Sequence, residues 1–205
     1  MLKDVRSLFD LSLWKANAKR GDKFAQFRLG QCYSEGYLVE KDLETAFNWY
    51  LKSAEQGYSS AQFEVAMAYY LGDSVTYNLF EAEKWCRKAA EQGHVEAEML
   101  MVHIASIFWF YEHKRAGYSE NEKTKEYSEK QLYWLKKAAA DGHPEALYQM
   151  GQEYICGVNV EEDVKKGVEL IKLAARKGYE EACEDIEGSI LLQSLAMKYE
   201  ISLKQ

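Results

Sequence analysis

AQFRLGQCYSEG at Ala25–Gly36 returns as AQFEVAMAYYLG at Ala61–Gly72. Each copy is followed after about ten residues by a tryptophan-centred run, AFNWYLKSAEQG at Ala46–Gly57 and AEKWCRKAAEQG at Ala82–Gly93. Weaker copies open at Ala97, Ala146 and Ala182, so successive starts lie 36, 36, 49 and 36 residues apart. Gly21, Gly57, Gly93, Gly142 and Gly178 repeat the same intervals independently. A fixed period in this range signals stacked supersecondary units. Within a unit, Ala25, Leu29, Cys32, Tyr33 and Gly36 recur at helical spacing, and Ala46, Trp49, Tyr50 and Ser53 begin a second helical pattern, so each unit reads helix, turn, helix. The closing glycines sit where the chain needs positive φ, and Lys52, Lys88, Lys137 and Lys177 lie in or near the last turns, where they complement the helix dipole. Pro144, the lone proline, falls in the first turn of a helix, where its missing donor costs nothing.

The pattern of Ala, Leu-Gly, Tyr, Gly, a turn Val, then Ala, Trp-Tyr, Lys-Ala-Ala and Gly resembles the Sel-one-like repeats, relatives of the tetratricopeptide repeat. The resemblance runs from about residue 25 to 181. It implies an all-α, right-handed α-solenoid, since a unit with one apolar face must stack to bury it. The expected frame is a single repeat domain over 1–205. It comprises a leading half repeat over 1–24, repeats over 25–60, 61–96, 97–145 and 146–181, and a capping helix over 182–205, about ten helices in all. The third unit departs, with Val102, Ala105 and Phe108 where the first has Gly30, Tyr33 and Gly36. Its 13 additional residues predict a first helix running to about Arg115, a loop near Gly117 and a second helix from about Glu122, a protruding hairpin carrying Tyr111, Tyr118 and Tyr127. Insertions in repeat arrays often serve binding, and a neutral length variant is the other reading.

Composition narrows the function. With 26 Lys and Arg against 33 Asp and Glu, the net charge is -7, and residues 25–205 alone carry -10, so nucleic acid is an unsuitable partner. The acidic run Glu180, Glu181, Glu184, Asp185 and Glu187 reads either as a solvated helix face or as a receptor for a basic partner. Met1–Arg20 has no apolar stretch of the secretory type, and the longest apolar run, Ile104–Tyr111, is too short to span a bilayer, so no membrane partner and a cytoplasmic location are expected. Cys32, Cys86, Cys156 and Cys183 fall at four different repeat positions without CxxC spacing, which predicts free thiols rather than a metal site or disulfide framework.

No catalytic constellation is visible. His94 and His143 occupy the repeat position of Tyr58 and Tyr179, His103 and His113 lack the HExxH spacing, and no GxGxxG, GxxxxGK[ST] or GxSxG occurs. No catalytic residue, cofactor or metal is therefore expected, and a hydrolase is the most remote of three readings. The resemblance implies instead that the first helices line a groove for a protein partner. Phe27, Gln31, Phe63, Met67, Tyr70, Met99, His103, Tyr148 and Gln152 are the candidate contacts, joined by Tyr111 and Tyr118 of the hairpin, although several of these side chains serve equally well between repeats. Small bacterial members of the family include immunity proteins. The expected role is accordingly an immunity-type inhibitor, an antitoxin for a toxin domain with a basic surface, with a cytoplasmic adaptor or scaffold as the alternative.

Overall fold

In the computed structural model, residues 5–199 and 203 are described, and every regular element among them is an α-helix. The helices are α1 (Val5–Lys19), α2 (Lys23–Glu35), α3 (Leu43–Glu55), α4 (Ser59–Leu71), α5 (Leu79–Ala90), α6 (Val95–Arg115), α7 (Glu122–Ala140), α8 (Pro144–Cys156), α9 (Val164–Arg176), α10 (Glu180–Gly188) and α11 (Ile190–Lys198). The fold belongs to the all-α helical-repeat class. The chain divides into two compact units, residues 1–97 and 98–205, with the boundary inside α6.

In the first unit, α2 with α3 and α4 with α5 form the two regular hairpins. Their second helices start where Asp42 and Asn78 accept hydrogen bonds from backbone amides, Asp42 Oδ1 from Thr45 at 3.0 Å and Asn78 Oδ1 from Phe80 at 3.1 Å. Each such cap gives a partner to amides that the first turn of a helix leaves unpaired. The turn is fixed by one recurring bond. The amides of Asp42 and Asn78 donate to the carbonyls of Tyr33 and Tyr69, at 2.9 and 3.0 Å. Gly36 and Gly72, both at φ 72°, close the first helices in the left-handed conformation that a Cβ disfavours. Leu11, Ala18, Ala25, Leu29 and Cys32 form one core cluster, against which Trp14, Tyr33 and Trp49 pack. Lys52 and Lys88 lie over the rings of Trp49 and Trp85 at 4.3 and 4.0 Å, so these last-turn lysines cover aromatic surface as well as the dipole.

A polar ladder also runs through this unit. Gln56 Nε2 donates to Gln26 Oε1, and Gln92 Nε2 to Gln62 Oε1, both at 2.7 Å. Gln26 and Gln62, themselves buried, donate to the carbonyls of Ala18 and Ala54 at the end of the preceding helix. Each glutamine pair thus ties three successive helices and leaves no amide of Gln26 or Gln62 without a partner.

In the second unit, α8 and α9 form a third regular hairpin, with the Asp163 amide donating to Tyr154 O at 2.8 Å and Pro144 in the first turn of α8. Gly151 and Gly167 bring these two helices close, for a Cβ on Gly167 would stand 2.6 Å from Gly151 O. Around them Leu147, Val164, Val168, Ile171 and Ala174 make the core. The insertion lengthens both helices of its hairpin: α6 reaches Arg115, Gly117 and Tyr118 turn the chain at φ 66° and 62°, and a capping box of Asn121 with Thr124 opens α7. Phe108 stacks on Tyr127 at 5.3 Å to hold the extension together. The closing segment, expected as one capping helix over 182–205, holds two short helices among the described residues. The chain breaks after Gly188, and Ser189 Oγ accepts from Leu192 N at 3.2 Å to start α11.

Candidate partner-binding face

The first helices of the repeats carry the candidate contacts, and the structure divides those contacts by depth. Phe27 is only 8% exposed because it fits edge-on against Tyr58 at 5.0 Å and beside Tyr50 at 5.5 Å. Phe63 stacks on His94 at 4.7 Å, and Tyr148 packs on Tyr179 at 5.3 Å. These are one contact repeated: the third residue of a repeat meets the residue that follows its closing glycine. It packs the first helix of a repeat against the turn that closes the same repeat, and His94 serves there as a ring. Met99, at the same repeat position, is 3% exposed.

In the first unit, Gln31, Met67 and Tyr70 are half-buried, and Gln31 Oε1 accepts from Arg28 at 2.9 Å. Here α3, α4 and the following turn enclose a cleft of about 200 Å³, lined by Leu43, Phe47, Tyr50, Phe63, Met67 and Leu71 among others. Two carboxylates, Glu64 and Asp73, also line it, and no basic side chain does. Burial first, and the neighbouring Glu35 second, push the Glu64 carboxyl above the usual carboxylate range. At the edge of the cleft, the Ser34 and Tyr50 hydroxyls share a hydrogen bond of 3.0 Å. Sequence reasoning did not single out Glu64, Asp73 or Leu71. The available signal was that Glu64 occupies the repeat position of Arg28 and Gln149, a polar slot on the same helix face.

In the second unit the face is polar. His103 Nε2 lies 3.2 Å from Glu145 Oε1, and Gln149 donates to that same oxygen at 3.0 Å. Tyr148 donates its hydroxyl to Asp185 Oδ2 at 2.8 Å, which ties one member of the acidic run into the packing. Burial and the Asp185 carboxylate push the Tyr148 phenol up, so it remains a donor. Gln152 is exposed. Tyr111 and Tyr118 of the hairpin are 60% and 68% exposed, and Tyr118 meets the His113 ring edge-on at 5.8 Å. A larger cleft of about 620 Å³ beside the hairpin is lined by Trp109, Phe110, Thr124, Lys125, Gln131 and Asn159, without either tyrosine.

Glu98 holds the ladder position in the third repeat. It stands where Gln26 and Gln62 stand in the first two repeats and is fully buried, with Lys137 Nζ 2.8 Å from Oε1. Desolvation outweighs that lysine, and Asp141 adds to it, so the carboxyl is raised. Among the described residues, no three His, Cys, Asp or Glu side chains converge to hold a metal ion, and no helix is long and apolar enough to cross a membrane.

Comparison with known proteins agrees with this geometry. The Sel1 repeat model matches residues 23–58, 59–94, 132–143 and 144–179, leaving out most of the interrupted third unit. A Sel1 repeat protein from Oxalobacter formigenes is 30% identical, the match covering 88% of this chain and 66% of that one, with a TM-score of 0.64. The protective antigen c5321 of uropathogenic Escherichia coli, which displays an SLR fold, is 28% identical over 95% of this chain and 38% of its own, with a TM-score of 0.68. The chain therefore spans just under two thirds of the first and well under half of the second. The immunity protein Pa5087 from Pseudomonas aeruginosa, 19% identical over 91% of this chain and 66% of that one at a TM-score of 0.51, shares the fold. No curated protein shows a match.

Proposed function

This chain belongs to the Sel1 repeat family, and on that premise we infer that it acts as a protein-interaction module whose first-helix face holds a basic protein partner. The observation that carries the reading is the apolar cleft of the first unit, where Glu64 and Asp73 stand without a cation. A carboxylate desolvated beside aromatic side chains is a cost to the free protein, and an incoming positive charge offsets that cost. The second unit, by itself, also carries carboxylates on its first helices, at Glu145 and Asp185. The -10 carried by residues 25–205 would speed encounter with a positively charged surface.

Most concretely, the module is an immunity-type inhibitor that binds and neutralises a bacterial toxin domain in the cytoplasm. The fold shared with Pa5087 supports the compatibility of this architecture with such a role, while the partner follows from charge and cleft chemistry. Co-expression with the toxin domain that this reading expects beside the gene is the test. Growth restored by the chain, together with a complex of the two proteins on gel filtration, is the expected result. Growth arrest unrelieved by a well-expressed chain would overturn the inhibitor role, and a chain that binds no basic protein would overturn the wider reading.

A further inference from the structure

The cleft of the first unit is small, apolar on most of its wall and acidic at one point, a combination that restricts what fits. At about 200 Å³ it lies below the roughly 300 Å³ at which small-molecule pockets usually begin, and it holds no secondary-structure element. One long side chain fills it. Phe47, Phe63 and Tyr50 offer ring surface, while Met67 and Leu71 give flexible apolar contact at the exit, Leu71 being 58% exposed at the end of α4. Glu64 and Asp73 offer negative charge, and among the described residues Glu64 has neither an ion-pair partner nor a hydrogen-bond donor. Glu35 adds a further negative charge to its surroundings.

Resting on the protein-binding reading above, we propose that this cleft is an arginine socket: it takes one arginine side chain, flanked by apolar residues, from a segment of the partner protein, with the guanidinium against Glu64. Arginine fits better than lysine. Its guanidinium is planar, less strongly hydrated than an ammonium, bonds a carboxylate through two parallel donors and lies flat on aromatic rings. Such a contact forms with both groups partly desolvated, the condition in which removing one partner of a charge pair costs most.

The test pans a random library of displayed 12-residue peptides on the whole chain, then measures the winners as synthetic peptides against the parent, Glu64→Gln and Leu71→Ser. Enriched sequences should share an arginine beside Leu, Ile, Met or Phe. Glu64→Gln should weaken them at least about tenfold, and replacing the arginine by citrulline should do the same. Lysine in its place should bind less well, and added salt should weaken all of them. Glu64→Gln should melt no lower than the parent, because burial disfavours the charge it removes, which separates lost binding from lost folding. Basic peptides that bind Glu64→Gln as well as the parent, or that Leu71→Ser leaves untouched, would overturn the socket and leave the basic-partner reading standing. Enriched peptides without basic residues would overturn both. Self-association of the chain that Leu71→Ser abolishes would overturn the socket in favour of a second copy as its occupant.

Discussion

Gly167→Ala tests the packing of the second unit most sharply. The added Cβ would lie 2.6 Å from both Gly151 O and Ile155 Cγ1 and 3.2 Å from Ile155 N, against 3.4 Å for ordinary contact, so α8 and α9 must separate by about 0.8 Å. A side chain could rotate away, but a carbonyl oxygen and an amide nitrogen move only with their helix. The overpacking cost therefore falls near the upper end of its range, about 3 kcal/mol. Alanine returns about 1 kcal/mol of helix propensity. The net loss is roughly 2 kcal/mol, which lowers the melting temperature by roughly 4–8 °C in a chain of this size. Gly188→Ala is the control, since nothing lies within 4 Å of its Cβ and its φ is not left-handed, so that variant should melt at or slightly above the parent. Thermal melts followed by circular dichroism decide it. A Gly167→Ala variant as stable as the parent would refute the close approach of the two helices.

Three further outcomes are expected. Gln92→Ala removes the amide that bonds Gln62 Oε1 at 2.7 Å and leaves a buried acceptor unpaired, so urea denaturation should show a loss of about 1–2 kcal/mol, and no loss would mean that the ladder is incidental. Glu98 has its carboxyl raised by burial, so the native state holds that proton more tightly than the unfolded chain, and stability declines as pH rises from the ordinary value of 4.5 through the raised one. Glu98→Gln should thus gain on the parent in urea midpoint between pH 4 and pH 7.5, whereas a deficit that grows with pH would mean that the Lys137 ion pair outweighs desolvation. Finally, a thiol reagent should label exposed Cys156 rapidly in the native protein and reach Cys32 and Cys86, both buried with thiols pushed up, only on unfolding; rapid native labelling of Cys86 would contradict its packing.

Much of the fold is legible in the sequence because the repeat states each local rule several times. Gly57, Gly93, Gly142 and Gly178 all adopt positive φ, between 79° and 83°, as their common spacing requires. Phe108 replaces the glycine that ends the first helix at Gly36 and Gly72, and without that stop α6 continues to Arg115. The contact face is less legible. Periodicity along one helix leaves Phe27 free, but its burial depends on Tyr50 and Tyr58, 23 and 31 positions onward, contacts that spacing within one helix does not report. The glutamine ladder escapes notice for the same reason, since Gln26 and Gln56 read as surface residues until a neighbouring carbonyl and a partner amide stand beside them. Glu64 looks like one acid among many, and only the cleft around it distinguishes it.

Hydrogen–deuterium exchange on the chain, alone and in complex with the protein that its co-expression test identifies, reads the binding face directly. Slowed exchange concentrated in α4, the part of α3 that faces it and the turn through Asp73, with α5 little changed, is the pattern predicted here. Protection confined to the second helices, or to the hairpin over 112–128, would contradict binding through the first-helix face.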